Sequence, residues 1–313
     1  MSAARIDWRI VAAGCLAVLA AIALGGRGGA PLVTEMLLMA LFASSLNLLM
    51  SYGGMVSFGH AAFFGLGAYG LALAVSRFGL PVAAGLACGP LLAGLLALVF
   101  GTLCVRLSHI YFAMLTLACG QITFTVLFQW YDFTGGDTGI TGFMAPAFGL
   151  DERWFAVVVL GVVVACLLAL WRVVNAPLGI TIRSVGEDPE RVSASGLNPR
   201  RVQLTAFVIA GTLAGVAGSL FAALQGNAFP DYAGLGFTLD SLIMVVLGGL
   251  RSFGGGLYGA VIYVLLRNYV PLLVTEWELV IGVILLLVVL WSPEGFAGGL
   301  QRIGRRLRSE PRP

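Results

Sequence analysis

Catalysis needs nucleophiles, bases, metal ligands or cations at workable spacing, and this 313-residue sequence offers few of them. Its two histidines, His60 and His109, are far apart in the chain. There is no H-E-x-x-H for a zinc hydrolase, no G-x-S-x-G for a serine hydrolase, and no carboxylate pair inside an apolar run. The five cysteines, Cys15, Cys88, Cys104, Cys119 and Cys166, each fall in an apolar run and form no C-x-x-C pair. They read as small packing residues rather than metal ligands or redox groups. All 18 basic residues are arginine, and lysine is absent. A P-loop needs a lysine on the nucleotide phosphates and a Schiff-base enzyme needs a lysine amine, so neither chemistry can reside in this chain. The sequence carries no catalytic residue, metal site or cofactor site, and a net charge of +3 gives no footing for nucleic acid.

What the chain has instead is apolar length. It is 59% hydrophobic and 11% charged, where soluble domains average about 25% charged. Apolar runs of roughly 20 residues, the length that crosses a bilayer as a helix, recur throughout. Ten are expected: Trp8–Leu24, Pro31–Met50, Gly54–Val75, Leu80–Val105, Ile110–Trp130, Trp154–Val174, Leu204–Gly226, Thr238–Leu250, Gly254–Val274 and Trp277–Trp291. The third and eighth are glycine-rich or short, the pattern of broken or re-entrant spans. Arg5 and Arg9 precede the first run as in a signal peptide, but no clean A-x-A-like cleavage site follows, so a retained helix is expected.

Arginine placement tests the count. With a cytoplasmic N-terminus and ten crossings, Arg5, Arg9, Arg106, Arg172, Arg183, Arg191, Arg200, Arg201, Arg251, Arg302, Arg305, Arg306, Arg308 and Arg312 fall inside. Only Arg27, Arg77, Arg153 and Arg267 fall outside. That asymmetry is the positive-inside bias. The expectation is an all-α integral membrane protein of about ten transmembrane helices with both termini cytoplasmic. Residues 1–300 form a single membrane domain, and 301–313 form a basic cytoplasmic tail.

Small residues at four-residue spacing mark faces where helices approach closely in lipid. Gly85, Gly89, Ala93, Ala97 and Gly101 form one such row. Two more lie side by side: Ala210, Ala214, Gly218, Ala222 and Gly211, Gly215, Ser219, Ala223. A wide pore lining is the alternative reading of the same rows. Gly53-Gly54-Met55-Val56-Ser57-Phe58-Gly59 recurs in outline at Gly248-Gly249-Leu250-Arg251-Ser252-Phe253-Gly254, by chance or as a broken-helix element repeated in each half.

The longest polar stretch on the inner side is 175–202. Asp188 is placed to cap a helix with Pro189 at its first position and Glu190 in its first turn, and Gly196 suits a left-handed stop. Asn198-Pro199 repeats the cap-and-proline signature at the start of the seventh span. A helix of two turns is marginal alone, so Pro189–Ser195 must be held by its flanking spans or by a partner protein. Few charges lie within spans: Glu35 and Asp240 fall near outer ends, and Arg267 lies in the outer half of its span, where it can snorkel or pair.

Four stretches together resemble the permease subunits of branched-chain amino-acid ABC importers. They are Ser45-Leu46-Asn47-Leu48-Leu49 running into Gly53–Phe64; Tyr111-Phe112-Ala113-Met114-Leu115-Thr116-Leu117; Thr134-Gly135-Gly136-Asp137-Thr138-Gly139-Ile140; and Ser184–Asp188 through Gly196-Leu197-Asn198, followed by Val245-Val246-Leu247-Gly248-Gly249-Leu250. The second and third resemble the LivM-type subunit. The resemblance implies a multi-pass protein of the bacterial inner membrane. Its partners would be a LivH-type companion permease, two cytoplasmic ATP-binding subunits and an external substrate-binding protein. It implies that Glu187, Asp188, Glu190, Arg191 and Gly196 dock on an ATPase. Candidate path residues are polar groups in apolar spans, Asn47, Ser57, His60, Thr116 and Gln121, each of which can equally serve as a helix–helix hydrogen bond. Permeases for urea or short amides share these motifs, and a stand-alone secondary transporter is the rival from another class.

Overall fold

The computed structural model describes residues 15–16, 18–19, 26–143, 152–250, 252–272, 274 and 276–291. The expected first span and the basic tail lie outside the described residues, apart from those two short stretches. The described residues are mostly helical. In order come α1 (Gly26–Asn47, continued by a π-helical turn Leu48–Tyr52), α2 (Ala61–Ser76), α3 (Val82–Cys104), α4 (His109–Gln129), α5 (Glu152–Asn175), α6 (Pro177–Glu187), α7 (Pro189–Ala194), α8 (Pro199–Gln225), α9 (Leu235–Gly248), α10 (Gly255–Tyr269) and α11 (Trp277–Trp291). Among the described residues five helices are long and apolar enough to cross a membrane: α1 with its π turn, α3, α4, α5 and α8. The expected third and eighth spans are the short helices α2 and α9.

Apolar helices divide into two kinds by what they touch. α1 and α8 lie at the centre, with most of their apolar window buried in protein. α3, α4 and α5 lie at the periphery and turn most of theirs outward. The outward side chains include Leu91, Leu95 and Val99 on α3, Ile122 on α4 and Val158 on α5, exposed apolar groups of the kind suited to hydrocarbon. Trp130, Tyr131, Trp154 and Tyr269 are exposed near the ends of the helices away from α6 and α7, as in an interfacial aromatic belt.

Close packing replaces the hydrophobic effect as the cohesive force in such a bundle. The buried positions of α3 are Gly85, Gly89, Ala93, Ala97, Gly101 and Cys104, so the expected row is a packed face and not a pore lining. All eight residues of the two rows on α8 are buried as well. A Cβ added to Gly215 would sit 2.4 Å from the Cβ of Ala93, one on Gly211 2.5 Å from that of Ala97, and one on Gly67 2.2 Å from the Gly215 carbonyl oxygen. α2, α3 and α8 therefore meet backbone to backbone. A second glycine seam joins α9 to α10, where a Cβ at Gly259 would lie 1.7 Å from the Met244 carbonyl oxygen. α10 in turn packs on α1, a Gly256 Cβ falling 2.8 Å from the Ser44 nitrogen. A two-residue antiparallel pair, β1 (Ile140–Thr141) with β2 (Asn227–Ala228), ties the long loop after α4 to the end of α8.

The two recurrent glycine segments occupy equivalent places. One links α1 to α2 and the other links α9 to α10, and α1 packs on α10. The second glycine of each, Gly54 (φ +63°) and Gly249 (φ +107°), adopts a conformation that a side chain disfavours. Asn47 Nδ2, just before the first segment, donates to the Ser252 carbonyl in the second at 3.0 Å. From Gly54 to Phe58 the backbone is irregular, which membrane depth tolerates only where it is buried in protein or lines a cavity.

Candidate functional site

The segment between α5 and α8 folds as its punctuation dictates. Asp188 Oδ1 accepts from the Glu190 and Arg191 amides, both at 3.1 Å, and Pro189 opens α7. Gly196 stands at φ +86° and ends it. Asn198 Oδ1 accepts from the Arg200 and Arg201 amides at 3.1 and 3.4 Å and starts α8. Asp188 also pairs with Arg191 at 3.5 Å on the helix surface. Glu187, Glu190, Arg191 and Gly196 are exposed, Asp188 partly so, and Val192 anchors α7 inward.

Sequence reasoning missed α6. Its signals were Pro177 at the first helical position and apolar residues at Leu178, Ile182 and Val185. This helix joins the loop to the membrane core. Gly186 lies against Gly53 and Gly54 so closely that a Cβ on Gly186 would stand 2.9 Å from the Gly53 carbonyl carbon and 2.9 Å from the Tyr52 oxygen. The Arg183 guanidinium lies 4.5 Å from the centre of the Tyr52 ring, a cation–π contact worth about 0.5–1 kcal/mol when exposed. α6 thus ties α7 by contact to the π turn of α1, and the Asn47–Ser252 hydrogen bond ties the end of α1 to the α9–α10 link.

Three open cavities among the described residues adjoin one another in series. The first, about 730 Å³, is at the α7 end and is lined by Gly54, Arg106, His109, Glu187, Gly196 and Arg200 among others. The second, about 580 Å³, is almost wholly apolar, with Val56, Phe58, Met114, Leu117, Leu235 and Leu239 in its wall. The third, about 490 Å³, is polar again and holds Gln121, Asp231, Asp240 and Arg267. Gly54 and His109 border both the first and second cavities, and Leu235 both the second and third. On α4 the lining residues Ile110, Met114, Leu117, Gln121 and Phe124 fall three or four apart, with Ala113 beside Met114, which makes one helical stripe. His109, where two cavities meet, is at φ +49°, an uncommon conformation for a residue with a side chain.

The expected path residues separate. Gln121 lines the third cavity. Asn47, Ser57, His60 and Thr116 are buried inside the chain. Ser45 Oγ donates to the Phe42 carbonyl at 2.7 Å and so receives the His60 Nε2–H at 2.8 Å, and the His60 ring stacks on Phe42 with centroids 5.5 Å apart. Thr116 Oγ1 accepts from the Phe58 amide at 3.2 Å. The Thr116 and His60 side chains tie the irregular segment and the turn that follows it to their neighbours. The apolar lining residues Met114, Leu117, Leu235 and Leu239 were not among the expected path residues, which were all polar; the stripe on α4 was the available signal. Among the described residues no group of three or more metal-binding side chains converges, and the cysteines are free.

Residues 29–290 match the family described as branched-chain amino acid transport system / permease component. The LivM permease protein of the high-affinity branched-chain amino acid transport system of Escherichia coli is 29% identical over 296 residues, covering 86% of this chain and 70% of that protein. The fructose import permease protein FrcC of Rhizobium meliloti is 30% identical over 229 residues, 68% of this chain and 63% of its own. The ribose import permease protein RbsC of Escherichia coli is 31% identical over 180 residues, 50% of this chain and 54% of its own. No solved structure matches. The chain belongs to the permease family of branched-chain amino acid transport systems, as an ABC permease of the LivM type.

Proposed function

We propose that this chain is one half of the translocation path of an ATP-driven importer for branched-chain or other hydrophobic amino acids. It works in a bacterial inner membrane as a ten-span protein with both termini cytoplasmic. The observation that carries the reading is the juxtaposition of a capped, exposed helix with a seam into the core, beside an open apolar groove on the same chain. A path shared by two permeases leaves each subunit with a groove rather than a closed tunnel, and the open side of the three cavities fits a LivH-type companion.

Glu187, Asp188, Glu190, Arg191 and Gly196 form the surface offered to one of two cytoplasmic ATPases. ATP binding there pushes α7, and the Gly186 contact passes the push to the π turn of α1. The absence of the lysine that a P-loop needs supports hydrolysis on a separate subunit. An external binding protein delivers the solute. Related fructose and ribose permeases widen the range of solutes, but the almost wholly apolar wall of Val56, Met114, Leu117 and Leu239 favours an apolar side chain over a sugar.

The docking surface is tested by reversing charge at Glu187 and Asp188 in the assembled system. ATPase co-purification is expected to fall while the amount of inserted permease stays constant. Unchanged co-purification and unchanged uptake would overturn the assignment.

A further inference from the structure

Resting on the reading above, we propose that Arg267 and Asp240 form a reader for the charged head of a zwitterionic solute at the outer end of the groove.

Arg267, on the last turn of α10, pairs with Asp240 of α9 through Nη1 and Oδ2 at 3.2 Å. The Tyr263 hydroxyl donates to the other oxygen, Oδ1, at 2.6 Å. The guanidinium also lies over the Phe237 ring, 5.8 Å from its centroid. Charges within a membrane domain are costly and mark function unless they only hold helices in register. A register role would be served by an enclosed pair. Here the side chains remain 36% and 23% exposed and open onto the third cavity, beside Gln121 and Asp231.

The inventory of donors and acceptors fits an amino-acid head. Asp240 has each oxygen engaged, one by Tyr263 and one by Arg267. A guanidinium carries five donors; the bond to Asp240 uses one nitrogen, and the half-buried Glu35 carboxylate lies within electrostatic reach of the same group. The remaining edge suits a carboxylate. Asp231, an exposed carboxylate on the same cavity, suits the ammonium. Leu235 is shared with the apolar groove, so a solute held by its head at Arg267 and Asp231 extends its side chain past Leu235 towards Leu117 and Leu239. A sugar carries neither charge and no apolar tail.

The test uses the complete transporter in proteoliposomes, with L-leucine as the probe and assembly followed by ATPase co-purification. Arg267→Gln is expected to lower leucine uptake about tenfold or more, the scale of a lost charge-assisted contact, and Arg267→Lys to lose less. The reciprocal swap, Asp240→Arg with Arg267→Asp, is expected not to restore uptake. Restoration by the swap, which a purely structural pair would give, or uptake of Arg267→Gln within about twofold of the parent (under 0.5 kcal/mol), would overturn the proposal. Should Arg267→Gln fail to assemble, Gln121→Glu puts a carboxylate beside the expected substrate carboxylate from an exposed position. A clear loss of uptake supports the site, and none overturns it. A parent transporter that accumulates D-ribose and not L-leucine would defeat the amino-acid reading itself; leucine uptake indifferent to Arg267 and Gln121 would defeat only this site.

Discussion

Gly186→Ala is the smallest change that should disturb transmission from the loop without disturbing docking. The new Cβ would meet the Gly53 carbonyl carbon and the Tyr52 oxygen, each at 2.9 Å. Carbon atoms rest at about 3.5 Å or more, so the seam between α6 and the π turn must open by roughly half an ångström. Both obstacles are backbone atoms and cannot swing aside as a side-chain tip would. Overpacking of this kind costs about 1–3 kcal/mol. Position 186 lies within α6, however, and alanine there gains about 1 kcal/mol over glycine in helix propensity. The net is roughly 0–2 kcal/mol, small against folding but about fivefold in the population of the tight seam at its midpoint. The variant is therefore expected to insert and to co-purify with the ATPase, while solute moved per ATP hydrolysed falls about fivefold. Gly186→Val should fall further, because its branched side chain reaches the same atoms. Parental coupling in both variants, or losses that simply track the amount of inserted protein, would refute transmission through this seam.

Asp188→Ala removes the acceptor of two capping bonds from a six-residue helix, about 1 kcal/mol; ATPase co-purification should weaken, and Asp188→Asn should preserve it. Gly215→Val forces a side chain to within 2.4 Å of the Ala93 Cβ, so thermal unfolding in detergent should move to lower temperature by the equivalent of about 1–3 kcal/mol, with partial recovery from Ala93→Gly. Ser45→Ala leaves the His60 Nε2–H without its 2.8 Å acceptor in a buried site; stability should drop by about 1–3 kcal/mol while uptake per folded transporter holds, since neither residue lines the three cavities described above.

Much of this architecture could be read from residue spacing because the constraints are local. Asp188-Pro189 and Asn198-Pro199 each place a cap and a fixed φ next to each other, and both launch helices as written. The small-residue rows on α3 and α8 were legible because in lipid only small side chains let two backbones touch. The extended stretch from Gly54 was visible only as weakness in a glycine-rich span, since its fold depends on distant partners: Thr116 for Phe58, Thr238 for Ala61 and Gly186 for Gly54. α6 was hidden by length, its apolar stripe of Leu178, Ile182 and Val185 being too short to stand out from a polar loop. The groove was hidden by chemistry. Polar residues in apolar helices draw attention, yet Asn47, His60 and Thr116 find their partners in Ser252, Ser45 and Phe58 inside the chain, while Met114 and Leu117 look like any lipid-facing pair until Leu235 and Leu239 are brought to the same cavity.

The most direct measurement is solute accumulation by proteoliposomes that contain this permease with its companion permease, ATPases and binding protein, supplied in parallel with labelled L-leucine and D-ribose. L-leucine should accumulate only when ATP and every partner are present, and D-ribose should not. Accumulation of L-leucine by the permease alone without ATP, or of D-ribose in its place, would contradict it.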